Sequence, residues 1–222
     1  MKQLVLVLAG VAVAGSGAFA QQAFDKERHH WAKYKVGTSI TFKMTVETGG
    51  NKAEGSLKQE LKEAGASSFK LVHMYDMAGQ KSQEEETEEM PTRSGEETLK
   101  IAGKEYTCVV WSSKSKKGES EGATRFWLAD GVKAPLKLEI KDGEDVSTLT
   151  AVSLSEKIKA GGKEYDCVKL EGGMASGGQK GKGTLWLHPD IPSMTVRMDV
   201  SFQAEMGAME TSLEVSAVDI KK

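Results

Sequence analysis

The chain has 222 residues, with 30 Lys and Arg against 32 Asp and Glu, so its formal charge at pH 7 is −2. Without a basic excess to neutralise phosphates, nucleic acid is excluded as an expected partner. Beyond the first twenty residues no apolar stretch approaches the roughly 18 residues of a transmembrane helix, so we expect a protein that does not span a membrane.

The first twenty residues have the three parts of a secretory signal peptide. Lys2 supplies the positive start, residues 4–15 form an apolar stretch, and residues 18–20 (Ala-Phe-Ala) are a small-residue cleavage site. We therefore predict cleavage after Ala20 and export to the periplasm or the outside of the cell. A lipid-anchored precursor needs a cysteine just after the cut, whereas the first cysteine of this chain is Cys108.

A short helix is predicted over Asp25–Tyr34, with Asp25 as its N-cap. From residue 40 onward apolar and polar residues alternate, which predicts strands with one buried and one wet face. Parallel sheets read as continuous apolar runs, so the alternation favours an antiparallel sheet. The acidic segment 83–95 is predicted to be a solvated strand end or loop. The alternating runs are 40–46, 136–140, 194–202 and 209–217, and further strands are expected at 56–62, 69–76, 104–111, 124–128, 146–159, 163–170 and 183–188.

Two segments of the chain repeat at an offset of 59 residues. Residues 99–108 read LKIAGKEYTC and residues 158–167 read IKAGGKEYDC, with six of ten positions identical. The same offset carries a Trp-Leu pair onto a second one. We interpret this as a duplicated four-strand unit of about 60 residues. Its structural repeat positions are Tyr106, Cys108 and Trp127 in the first copy and Tyr165, Cys167 and Trp186 in the second.

The duplication predicts one all-β domain over residues 21–222. Repeat 1 covers 97–154 and repeat 2 covers 156–218, while a fainter echo around Trp31 leaves open a diverged copy within 21–95. Successive strands usually pair as neighbours, and an open sheet rarely exceeds about ten strands without curling. The expected fold is therefore a long antiparallel meander that curls into a half-barrel or barrel.

The two cysteines are predicted to be buried core residues without a disulfide. Cys108 and Cys167 hold the same place in successive four-strand units, and four strand steps of about 4.8 Å put them roughly 19 Å apart. A disulfide needs Cα atoms within about 7 Å. This geometry outweighs the oxidising compartment that export implies.

The sequence holds no signature of a catalytic or metal site. HExxH and CxxC are absent, and the one GxSxG match, residues 118–122, lies between two predicted strands and does not open a helix, so we predict no enzyme activity, no cofactor and no metal. His29 and His30 are adjacent, and on a helix they would point about 100° apart and chelate poorly. Met74 and Met77 have a spacing typical of thioether copper sites, but a strand directs them to opposite faces.

An apolar concave face is the one candidate for binding. Methionine suits surfaces that accept varied apolar ligands, although core packing alone explains the same residues. The tryptophans are open to two interpretations, a sugar-binding platform or a structural corner, and their repeated position favours the corner. The candidate ligand-binding residues are Met44, Leu138, Met194, Val196 and Met198.

The order of motifs resembles a known group of proteins. GKEYxC, a hairpin, Trp-Leu, a loop with Ala134-Pro135 or Ile191-Pro192 and an alternating strand look like uncharacterised secreted β-repeat proteins of Gram-negative bacteria. Those in turn resemble the lipoprotein-carrier half-barrels (LolA, LolB and LppX-like). The resemblance covers residues 99–218 and implies a curved sheet around an apolar cavity in the periplasm, without catalysis. No ligand residue can be carried over from it.

We therefore expect an exported, non-enzymatic binding protein that holds a lipid or another apolar ligand. The expected partner is a lipid or a lipoprotein, and the sequence leaves the oligomeric state undetermined. The alternative is a structural or envelope-interaction protein with a filled core. An empty cavity of several hundred Å³ favours the first, since binding sites of roughly that size are typical. An outer-membrane barrel is disfavoured, because 6% aromatic residues are too few for two aromatic girdles.

Overall fold

The computed structural model describes residues 29–118, 120–204 and 207–221. Within these residues the protein is all-β, as predicted, and the strands are antiparallel. No helix in this part of the chain is long and apolar enough to cross a bilayer. The strands are β1 (Ser39–Thr48), β2 (Asn51–Ala64), β3 (Ser68–Met77), β4 (Gln80–Glu89), β5 (Thr92–Ile101), β6 (Lys104–Lys117), β7 (Ser120–Ala129), β8 (Lys137–Asp142), β9 (Asp145–Ala160), β10 (Lys163–Ser176), β11 (Gln179–Leu187), β12 (Thr195–Ala204) and β13 (Gly207–Asp219).

The strands form a single sheet that closes on itself. Its order is β4-β3-β2-β1-β13-β12-β11-β10-β9-β8-β7-β6-β5, so nearly every strand pairs with its neighbour in the chain. The exception is β1, which pairs with both β2 and the last strand, β13. A further pairing of β4 with β6 joins the two sides and closes a barrel of 12 strands, with β5 beside the seam. The predicted antiparallel meander is thus confirmed in its barrel form.

The seam depends on a break between β4 and β5. Both strands pair with β6. The first part of β6 pairs with β5, and the last three residues of β6 pair with β4. They are separated only by Met90 and Pro91. Proline has no N–H for the ladder, so a sheet strand is interrupted there, and the Met90 N–H is donated instead to the Ser67 carbonyl, 2.7 Å away in the β2–β3 turn. The segment can therefore serve both sides of the seam.

The predicted N-terminal helix is not supported. The predicted signal peptide and residues 25–28 lie outside the described residues, and residues 29–34 form turns. Their backbone bonds span three residues, with Ala32 N donating to His29 O at 3.1 Å and Tyr34 N donating to Trp31 O at 3.0 Å. These turns bury the Trp31 side chain, which is 1% exposed, in the core. Packing of that indole outweighs the local helix signal, because isolated short helices are marginal in water.

The acidic segment is also different from its prediction. Residues 83–95 belong to β4 and β5 and are paired along most of their length. Alternation in β4 directs Glu86 and Glu88 to the same face, where they are 2% and 4% exposed. The like-charge argument for a wholly solvated segment fails because only every second glutamate faces water.

Side chains of different size fill the two halves of the interior. Phe42, Phe202 and Leu213 of β1, β12 and β13 are at most 1% exposed and fill one side. On the other side small residues face each other across β6 and β7, with Ser113 opposite Thr124 and Ser115 opposite Gly122. Packing therefore leaves room against β6 and β7, while large side chains fill the interior along β13 and most of β12.

The segments that repeat in sequence also form equivalent strands. β6 and β10 are 14 residues long and begin 59 residues apart, as do the first residues of β7 and β11. In each copy a buried tryptophan donates its Nε1–H to a glutamate 30 residues earlier: Trp127 to Glu97 at 2.6 Å and Trp186 to Glu156 at 2.9 Å.

Cations flank both of these indole rings. The Lys137 ammonium lies 4.2 Å from the centre of the Trp127 ring, and the Arg197 guanidinium lies 5.4 Å from the centre of the Trp186 ring. The spacing of Lys137 and Arg197 in the sequence is nearly equal to the repeat offset. Burial beneath charged side chains gives Trp127 and Trp186 a structural role and leaves no face for a sugar.

Glycine is required where β10 crosses close to β9. A Cβ on Gly172 would lie 1.9 Å from the Thr148 carbonyl oxygen, whereas one on the adjacent Gly173 would meet nothing within 4 Å. We expect Gly172→Ala to lower the free energy of unfolding by about 2 kcal/mol through overpacking. Gly173→Ala is the matched control and should stay within about 0.5 kcal/mol. Urea unfolding followed by tryptophan fluorescence measures both, and equal effects of the two substitutions would contradict this packing.

Candidate functional site

A cavity of about 510 Å³ lies inside the barrel. Side chains from β3 on one side and from β7, β8 and β11 on the other line it, so it occupies the interior next to the small residues of β6 and β7. Most of its wall is aliphatic or aromatic, the usual character of a ligand pocket. The apolar lining residues are Leu71, Phe126, Leu128, Val132, Leu138, Ile140, Leu185, Leu187 and Met194.

Three turn segments border the cavity at one end of the barrel. They are the N-terminal turns at 29–33, the β7–β8 loop at 131–135 and the β11–β12 loop at 189–195. Lys33 donates to the Pro189 carbonyl, which ties the first segment to the third. Met194 has a φ of 59° and takes part in two backbone hydrogen bonds, to His188 and Ile191, that hold the loop.

A buried polar group borders the cavity, and three of its members, His29, His30 and Glu88, line the wall. We call His29, His30, His73, Glu86 and Glu88 the histidine–glutamate cluster. Glu88 Oε2 lies 3.5 Å from His30 Nε2 and 3.9 Å from His29 Nε2, and His73 Nε2 lies 2.8 Å from Glu86 Oε2. The cluster joins three elements of the fold, because its members come from the N-terminal turns, β3 and β4.

Ring stacking fixes the two adjacent histidines. The His29 ring stacks on Phe69 with centroids 4.3 Å apart and on His30 with centroids 4.5 Å apart and planes inclined by 17°. Both Nε2 atoms consequently approach the same oxygen of Glu88. The argument that adjacent histidines diverge assumed a helix, and that helix is not formed.

Burial and neighbouring side chains set the charge states of His29 and Glu88 in the cluster. Burial, helped by the neighbouring His30, lowers the pKa of His29 to about 3, so its ring is neutral at pH 7. Burial raises the pKa of Glu88, but the neighbouring His30, His29 and His73 together more than offset this, and the pKa is lower than its ordinary value. Glu88 is therefore an ionised carboxylate in the barrel interior.

The five predicted ligand-binding residues divide into two groups. Leu138 and Met194 line the cavity. Met44, Val196 and Met198 do not line it, and at 8%, 0% and 4% exposure they belong to the packed core.

The repeat positions are structural in their surroundings. Cys108 and Cys167 are both buried and unpaired. Burial, with nearby acidic groups, raises the pKa of Cys167 to about 12 and also raises the pKa of Cys108, so both thiols stay protonated at neutral pH. Tyr106 lies beneath the Lys104 ammonium at 5.0 Å, while Tyr165 meets the edge of His188 at 5.3 Å.

Most of the cavity wall was missed by sequence reasoning. Phe126 and Leu128 line the cavity, but Trp127 between them is also apolar, so this strand shows no alternation. The trio Glu84, Glu86 and Glu88 did carry a signal, because glutamates at every second position of a strand share a face.

Comparison with known proteins finds likeness at the level of the fold. No protein-family model and no curated protein matches the chain. It is similar to a Bacteroides fragilis protein classed as exported, with a YmcC-like fold, at 14% identity and a TM-score of 0.41, covering 85% of this chain and 97% of that one. It is also similar to a Parabacteroides distasonis protein classed as a lipoprotein, at 11% identity and a TM-score of 0.42, covering 84% and 96%.

A third solved structure is a domain from Vibrio parahaemolyticus classed as an outer membrane lipoprotein-sorting protein. The identity is 10% and the TM-score 0.40, and the match covers 90% of this chain and 93% of that one. The fold-level resemblance expected from the sequence is therefore found. At these scores the comparisons carry no argument about function, and the proposals that follow rest on the residues of this chain.

The neutral His29 makes stability depend on pH. The unfolded chain takes up a proton near pH 6.5 that the folded His29 does not take up until pH is near 3, so stability falls with pH across that window. Between pH 7.5 and 5 this histidine is expected to account for a loss of about 2 kcal/mol. Urea unfolding at both pH values measures the loss of stability between them. We expect this loss to be smaller in His29→Gln than in the wild type. Parallel curves for the two proteins would contradict the assignment.

Proposed function

We propose that the protein is an exported, non-enzymatic binding protein that holds the apolar part of a lipid inside its barrel. The observation that carries the proposal is the cavity of about 510 Å³ with its largely apolar wall. Cavities of about 300–1,000 Å³ are typical of sites for small molecules. The leader-like first twenty residues support export.

The wall of the cavity favours an acyl chain over a polar guest. Phe126, Leu138 and Ile140 form one side and Leu185 and Leu187 another, and a hydrocarbon moved from water to such a surface is stabilised in proportion to the area buried. His29, His30 and Glu88 of the histidine–glutamate cluster supply a polar part of the wall. A molecule with a long apolar part and one polar end matches this distribution.

The alternative of a structural envelope protein with a filled core is less well supported. A filled core leaves no space of this size, since protein interiors are packed as densely as organic crystals. Binding without catalysis also fits the two thiols, whose raised pKa keeps them in their unreactive form.

A substitution that fills the cavity tests the proposal. The probe is N-phenyl-1-naphthylamine, an apolar dye whose fluorescence rises in apolar surroundings, with oleic acid as competitor. We expect wild-type protein to bind one dye per chain and oleic acid to displace it. Leu138→Trp places an indole in the cavity and should weaken dye binding by at least roughly tenfold.

The matched control adds the same indole outside the barrel. Val146 of β9 is 50% exposed, so Val146→Trp should leave dye affinity unchanged. Native mass spectrometry of protein extracted gently from its own envelope gives a second readout, a co-purifying lipid mass. The proposal would be overturned if the wild type bound no dye, or if both substitutions weakened dye binding equally. Either result would favour the structural envelope protein instead.

A further inference from the structure

We propose that His29, His30 and Glu88 form a binding site for one divalent transition-metal ion, with zinc as the probe, at the wall of the barrel cavity. One ligand atom from each of the three residues lies within 4.8 Å of the other two. Two imidazole nitrogens and one carboxylate oxygen are a ligand set that zinc accepts in proteins. The site does not depend on the lipid-binding proposal.

The oxygen–nitrogen distances are close to those of a tetrahedral site, and one of the two stacked imidazole rings must turn for both Nε2 lone pairs to point at one ion. Two ligands each about 2.1 Å from a tetrahedral zinc lie roughly 3.4 Å apart. Glu88 Oε2 lies 3.5 Å from His30 Nε2 and 3.9 Å from His29 Nε2. All three residues line the cavity, so a fourth coordination position is open to whatever the cavity holds.

A second observation points independently to a missing partner. Glu88 is 4% exposed and its Oε2 carries no hydrogen bond, although both histidines are near. A buried carboxylate without a hydrogen bond is strongly destabilising unless a cation or donor completes it. The oxygen that lacks a hydrogen bond is the one that both Nε2 atoms approach, at 3.5 and 3.9 Å.

Metal binding by His29 also requires a proton shift, because only a neutral imidazole with an unprotonated Nε2 offers a lone pair there. At present His29 Nδ1 accepts the Trp31 N–H at 3.2 Å. Coordination through Nε2 moves the ring proton to Nδ1, so this hydrogen bond is exchanged for a metal–nitrogen bond.

The neighbouring pair of the cluster offers fewer ligands. His73 Nε2 and Glu86 Oε2 lie 2.8 Å apart, and Gln59 contacts His73 at 3.4 Å. Among the described residues a group of three ligands forms around Glu88, which two histidines approach, so we assign the ion to Glu88 rather than to Glu86.

Isothermal titration with zinc tests the site on the whole protein after chelator treatment. We expect one zinc per chain in the wild type. His30→Gln and Glu88→Gln should each weaken binding by at least roughly tenfold. His188→Gln removes a histidine that lies outside the cluster and should leave zinc affinity unchanged. Cobalt, bound in place of zinc, should give the visible absorption of a tetrahedral site in the wild type and in His188→Gln only.

Folding and function are separated by two further readouts. The His30 side chain is 25% exposed, so His30→Gln is expected to keep the circular dichroism spectrum of the wild type. Dye binding reports on the cavity alone and can succeed or fail independently of zinc binding. No stoichiometric zinc in the wild type, or equal loss in His30→Gln and His188→Gln, would overturn the metal site.

Discussion

Closure of the sheet between β4 and β6 is the constraint on which the rest of the structure depends. Only three residue pairs make this contact, yet without it both strands would present unpaired backbone groups at a sheet edge. The same short segment of β4 carries Glu86 and Glu88, which face Lys117 and Ser115 across the seam. The hydrogen bonds that close the barrel therefore also fix the two buried carboxylates in its interior.

The cavity follows from the number of strands and from side-chain size. A barrel of about eight strands is just filled by its own side chains, so 12 strands enclose more space than ordinary residues occupy. Phe42 and Phe202 fill that space beside β12 and β13, while Ser113 and Thr124 leave it open beside β6 and β7. The position of the cavity is thus set by where the chain carries small residues, and its apolar character by Phe126 and Leu138 around them.

Alternation alone was enough to predict the antiparallel strands and the barrel-like curl, because strand faces are set by local polarity. Three features depended on distant contacts and could not be predicted in that way. The helix signal after Asp25 yielded to burial of Trp31, and the acidic run was drawn into the seam through its partner β6. Met44 and Met198 have the same strand pattern as Leu138, and only the closed barrel distinguishes a core position from a cavity position.

The two buried carboxylates show how a closed interior discriminates between similar groups. Removing an ionised carboxylate from water is strongly unfavourable unless a partner stands close and well oriented. Glu86 has one histidine at ion-pair distance, His73 at 2.8 Å, whereas Glu88 is approached by two, His30 at 3.5 Å and His29 at 3.9 Å. Both residues come from one strand and share one face, so local sequence does not separate them. The difference arises because the N-terminal turns place His29 and His30 opposite only Glu88, which makes this end of the cavity wall the part of the barrel that a bound cation would complete.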